Sequence, residues 1–184
     1  MLIDHQREKL VQTVVFFASR VNKLGKTKLF KLLYFFDFQH YRDTGRSVTG
    51  LDYYAWPMGP VPVELYGELD VPRPDWSGKI AFRTIPTFKG MMLTVRAESA
   101  FEPALFSRRE LRLLEALAEE FHDAAAEDMV EATHLENMPW HRVWTRDGRK
   151  QKQIPYEYAL RQQDRDLFVE FAAERETLAK ALNG

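Results

Sequence analysis

The chain has 184 residues, 45% of them hydrophobic, with 26 lysines and arginines against 27 acids and no cysteine. That length suits one domain able to bury its own core, and the missing cysteines exclude disulfides, thiolate chemistry and cysteine-ligated zinc. A net charge of -1 argues against a protein built chiefly to coat nucleic acid, because phosphate binding leaves a basic footprint.

In chain order, Asp4 is placed to cap a first helix whose apolar positions Leu10, Val14, Phe17 and Val21 recur at helical spacing, with Gly25 just past its end. Thr27 is the expected N-cap of the next helix. There Leu29, Leu33 and Phe36 fall on one face and Phe30, Tyr34, Phe38 and Tyr41 around the other, and Gly45 closes the segment. A helix that is apolar on most sides yet too short to cross a bilayer belongs at the centre of a helical core.

Residues 51–56, LDYYAW, alternate weakly and are rich in aromatic side chains, the pattern of a short strand stopped by a tight turn over Pro57, Met58, Gly59 and Pro60. Pro62 fits the first turn of a short helix that turns Leu65, Tyr66 and Leu69 inward. Residues 71–78 read as a surface connection, and residues 79–85 and 91–97 as an antiparallel hairpin around a loop at 86–90. Ser107 followed by Glu110 has the capping-box spacing, and Leu111, Leu114, Leu117 and Phe121 continue with helical period. The helix either runs through residues 124–126 or breaks near Asp123, and residues 127–135 are helical in both cases. Residues 137–155 have loop chemistry. Leu167, Phe171, Leu178 and Leu182 mark a C-terminal helix, with a helical turn before it from Tyr156. The sum is a mostly helical α+β fold, a single domain with a buried central helix and a small antiparallel β-hairpin.

Charge is unevenly spread. Residues 98–136 hold eleven acids against three bases, whereas residues 139–152 hold five bases against one acid; such polarity suits either a solvated helix face beside a basic loop or steered docking of a partner. The first ten residues carry charges where an export signal needs an apolar stretch. A cytoplasmic protein without membrane contact is expected.

Catalytic cassettes are missing. Leu24-Gly25-Lys26-Thr27 ends like a phosphate-binding loop, but Arg20 stands where that loop needs its first glycine. Glu119 with His122 and Glu131 with His134 are both E-x-x-H units of the di-iron type, set only twelve residues apart, too close for two full helices and a turn. No cofactor or metal is expected. His40, on the aromatic helix, reads as a hydrogen-bonded residue at the core edge.

Lys26, Lys28 and Lys31 crowd the N-terminal end of the central helix, where the backbone dipole disfavours each cation by about 0.3–1 kcal/mol. They either pair with the acids of residues 98–136 or form a basic patch for an acidic partner. Trp140 and Trp144, interleaved with Arg142, Arg146 and Arg149, either close a small core or stack on bases; nucleic acid is the less favoured partner. The candidate partner-binding residues are Lys26, Lys28, Lys31, Arg142, Arg146, Arg149 and Lys150.

The string KLFKLLYF at residues 28–35, containing Leu29, Leu32, Leu33 and Tyr34, is followed by WPMGPV at residues 56–61, containing Trp56, Gly59 and Pro60, then Glu64, Leu65 and Tyr66. Thr133-His134 and Pro139-Trp140 come later. Together and in this order they resemble the K-L-x-K-L-L-Y-F, W-x-x-G-P-V and T-H…P-W signatures of the Panacea family, the SocA-like antitoxin domain. The resemblance implies an antitoxin that neutralises a toxin encoded beside it, usually by direct contact; some members deliver a toxin to a protease. The toxins of that family include alarmone-synthetase-like enzymes. Read on the residues themselves, the shared motifs are scaffolding, which leaves partner selection to charged outer surfaces.

Overall fold

The computed structural model describes residues 5–88, 90–135, 138–148 and 150–160. Asp4, Arg149 and the C-terminal helix expected around Leu167, Phe171, Leu178 and Leu182 lie outside the described residues. Among the described residues the fold is α+β and mostly helical, with two two-stranded antiparallel sheets.

Helix α1, Gln6–Arg20, buries all of residues 10–17. Helix α2, Lys26–Thr44, is the central rod. Every residue from 28 to 38 is buried, and the helix touches α1, both hairpins, α4 and α5 (defined below). The N-cap is Gly25 rather than Thr27. Leu24 accepts the Val95 N–H at 2.9 Å and Gly25 bridges Thr94, so the chain before α2 lies along a strand edge. A Cβ on Gly25 would stand 3.2 Å from the Leu93 carbonyl, which favours glycine as the residue that turns from strand edge into helix. At the far end Gly45 takes a left-handed φ of 71° and donates its N–H to Tyr41 O at 2.7 Å.

Strands β1, Tyr53–Trp56, and β2, Gly59–Pro62, pair from Tyr53 opposite Pro62 to Trp56 opposite Gly59. The expected turn is thus only Pro57 and Met58, and its second half opens strand β2, which forms despite its two prolines, Pro60 and Pro62. Proline is tolerated on an edge strand, where an absent N–H breaks no ladder. Residues 151–154 lie along the other side of β1, with Gln151 donating to Ala55 O at 2.7 Å and Ile154 to Tyr53 O at 2.7 Å.

Helix α3, Val63–Asp70, buries Leu65, Glu68 and Leu69. Residues 71–78 are more than a surface connection. Trp76 is 1% exposed and donates its indole N–H to Glu68 at 2.7 Å, while the Arg7 guanidinium spans Glu68 and Asp75 and lies 5.0 Å from the Trp76 ring centre. Strands β3, Ile80–Thr87, and β4, Gly90–Ala97, form a hairpin with a two-residue turn, tighter than expected from Pro86 and Gly90.

Helix α4, Arg108–Glu120, opens on the capping box: Glu110 N–H donates to Ser107 Oγ at 3.3 Å and Ser107 N–H to Glu110 at 2.6 Å. The helix ends before Asp123, and α5, Ala126–His134, follows. Residues 137–155 contain more order than their composition suggests. A short helix α6, Pro139–His141, runs into a π-helical turn at Arg142–Arg146, closed by Asp147 N–H to Arg142 O at 2.8 Å. The expected turn from Tyr156 is a 3₁₀ helix, Tyr156–Ala159.

One buried carboxylate ties α2 to the chain that follows it. Asp37 is fully buried and accepts from Val48 N–H and Thr49 N–H, each at 2.8 Å, from Tyr53 OH at 2.7 Å and from the Thr49 hydroxyl. Burial raises its pKa against the opposing pull of those donors. Asp37→Ala strands all four donors and is expected to cost about 3 kcal/mol in urea denaturation; a loss below about 1 kcal/mol would contradict this role.

Candidate functional site

The motif residues scattered along the chain converge beside α2. Lys31 points at the β1–β2 turn and donates from Nζ to Pro60 O at 3.0 Å. Gly59, with φ of 98°, lies under it: an added Cβ would stand 2.8 Å from Lys31 Nζ and 2.7 Å from Thr133 Oγ1. Both the backbone angle and the space therefore call for glycine. Thr133 is buried and donates back to Val130 O at 2.8 Å within α5.

One turn along α2, Tyr34 OH accepts the Trp140 N–H at 3.3 Å, and the Trp140 indole donates to Trp56 O at 2.9 Å. Trp140 therefore bridges the central helix and the hairpin. The His134 ring stacks on it with centres 3.7 Å apart and planes within 10°, and Trp144 lies beyond at 5.5 Å. His134 Nε2 is buried and finds no hydrogen-bond partner among the described residues. Burial, then the charges of Lys31 and His141, push its pKa down, which favours the neutral ring where it stacks.

Two of the candidate partner-binding residues are inside the protein. Lys31 is 1% exposed and Lys28 3% exposed. Lys28 Nζ donates to Asn22 O at 3.1 Å and His122 O at 3.2 Å, and burial lowers its pKa against the opposing charge of Asp123. The expected basic patch at the start of α2 does not form from these residues, because the Lys28 ammonium satisfies loop carbonyls and that of Lys31 a carbonyl of β2. Lys26 alone of the three reaches partial exposure, with Nζ 4.5 Å from the Tyr66 ring centre.

The second cluster is dispersed. Arg142 packs its guanidinium 4.5 Å from the Tyr158 ring centre and donates to Tyr158 O at 3.4 Å. Arg146 is exposed, and Lys150 lies over Trp144 at 5.4 Å. Trp140 closes the core, as one of the two readings of that tryptophan required; Trp144 is half-buried at its margin. The two E-x-x-H units do not converge: among the described residues no group of three or more His, Asp or Glu is placed to hold a metal ion. His40 sits at the core edge, its Nδ1 2.7 Å from the Arg46 carbonyl.

Chemically, burial lowers the pKa of the Lys31 amine to about 7. An amine of that pKa has nucleophilic character, but its enclosure leaves no approach for a substrate. Its titration is therefore expressed in stability. The unfolded chain holds the proton up to about 10.5 and the folded chain only to about 7, so the unfolded state binds more protons between these values and stability rises with pH across the window. Lys31→Met should flatten the urea-unfolding free energy between about pH 7 and 10, the difference from wild type approaching at most about 1.4 kcal/mol per pH unit. Parallel profiles would contradict it.

No curated protein and no solved structure matches this chain. The SocA-like antitoxin, Panacea domain family matches residues 29–141, the stretch that begins in the buried face of α2 and ends one residue beyond Trp140. Most of the chain, including every residue of the Lys31, Gly59, Thr133, His134 and Trp140 cluster, falls within that match, and the chain belongs to the SocA-like antitoxin, Panacea domain family.

Proposed function

We propose that this chain acts as a single-domain antitoxin, neutralising by direct protein contact a toxin encoded by the adjacent gene, with no catalysis of its own. The family match carries the reading. The burial of residues that would suggest chemistry supports it: Lys28 and Lys31 spend their amines on backbone carbonyls, Asp37 gathers loop donors, and the His134 ring is stacked on Trp140. Recognition is thereby left to the exterior, where partial charges and exposed apolar groups select a partner. Among the described residues no helix is long and apolar enough to cross a membrane, which agrees with a partner met in solution.

The adjacent reading frame, expressed alone, should arrest growth, and co-expression of this protein should restore it. Purified together, the two proteins should migrate as one complex. Growth arrest that this protein does not relieve would refute the assignment.

A further inference from the structure

The β3–β4 hairpin has an anchored base and an exposed apolar tip. Its base is anchored: Ile80 and Val95 are buried, and β4 continues into the bridge with Gly25. Its tip is bare. Phe88 is fully exposed, Met91 is 69% exposed and Ile85 38%, three of the seven large apolar side chains exposed among the described residues. A lone exposed apolar residue is unremarkable, but Phe88 in the turn with Met91 and Ile85 on the flanking strand ends concentrates apolar surface at one end of the hairpin, as interaction sites do.

Charge gives that patch a partner chemistry. Residues 79–97 contain Lys79, Arg83, Lys89 and Arg96 and no acid. Beside the tip an open cleft of about 380 Å³, lined by Met91 and Met92, is edged by Lys23 and Lys26, with Asp70 its one acid. An apolar tip with Lys23 and Lys26 at the adjoining cleft and Arg83 exposed on β3 is complementary to an apolar pocket edged by carboxylates. Strand addition along β3 is disfavoured, since Pro86 lacks the N–H an edge ladder needs and Arg83 is exposed beside it. Insertion of side chains is the remaining mode. Nucleic acid fits less well, because two of the three exposed side chains are aliphatic and offer no plane on which a base can stack.

We propose that the tip of the β3–β4 hairpin, through Phe88 and Met91, inserts into an acid-rimmed apolar pocket on the toxin, with Arg83 and Lys26 steering the approach. This rests on the antitoxin reading and specifies its contact surface.

The test uses full-length protein and the purified product of the adjacent gene. Phe88→Asp/Met91→Asp should weaken the complex by roughly tenfold or more and abolish growth rescue, with the thermal midpoint of the free protein unchanged because both side chains are exposed. Arg83→Glu should slow association and reduce its dependence on salt. Wild-type binding and rescue with both variants unaffected would overturn the hairpin as contact surface while leaving the antitoxin reading intact. Failure of the wild type itself to bind or rescue would overturn both. Two further results would also overturn the proposal: concentration-dependent self-association lost in the double variant, or loss of binding to labelled single-stranded RNA with toxin binding preserved.

Discussion

Everything in this molecule is arranged around the enclosure of α2. Eleven consecutive residues, 28–38, are removed from water, so the helix needs neighbours on all sides. α1 and α4 pack along it, α5 and the β1–β2 hairpin meet it near Lys31, and the 3₁₀ turn at Tyr156–Ala159 stacks Tyr156 on Phe38 at 4.5 Å. At about 25 cal/mol per Å² of apolar surface removed from water, burial of this kind is the main favourable term of the fold. The motifs that define the family are, on this view, the contact set that wraps one rod.

Enclosure also forces polar groups inward, and each is answered locally. Lys28 reaches loop carbonyls and Lys31 the Pro60 carbonyl of β2, and Asp37 gathers the backbone N–H groups of Val48 and Thr49. A buried ion is costly unless its hydrogen bonds are complete. Among the described residues Lys31 has one, to Pro60, and burial of its amine lowers its pKa. The same bond fixes where the β1–β2 turn sits against α2, and Gly59 leaves room for it. The Lys31 ammonium thus acts with the Asp37–Tyr53 and Tyr34–Trp140 bonds to set the hairpin and Trp140 against α2.

Much of this was legible in the residues. The period of α2, the stop at Gly45, the Ser107–Glu110 capping box and the β3–β4 alternation are local signals, and local physics enforces them. Other features depend on contacts distant in sequence. β2 carries two prolines and announces a turn; only the facing β1 makes it a strand. Trp76 lies in a proline-rich stretch and is buried because Arg7 and Glu68, far apart in the chain, meet around it. The burial of Lys28 and Lys31 was hidden for the same reason: lysine normally signals solvent, and their acceptors, Pro60 O and His122 O, are invisible until the chain folds. The π-helical turn after Trp140 has no composition that distinguishes it from a loop.

The division between a sealed motif-bearing interior and a recognising exterior is the central claim. Hydrogen–deuterium exchange on the free protein and on its complex with the adjacent gene's product tests it most directly. The amides of residues 29–38 should exchange only through global unfolding in both states, while new protection on binding should fall on surface segments. Rapid exchange of residues 29–38 in the free protein, followed by their protection in the complex, would show that α2 itself is the recognition element and contradict the account.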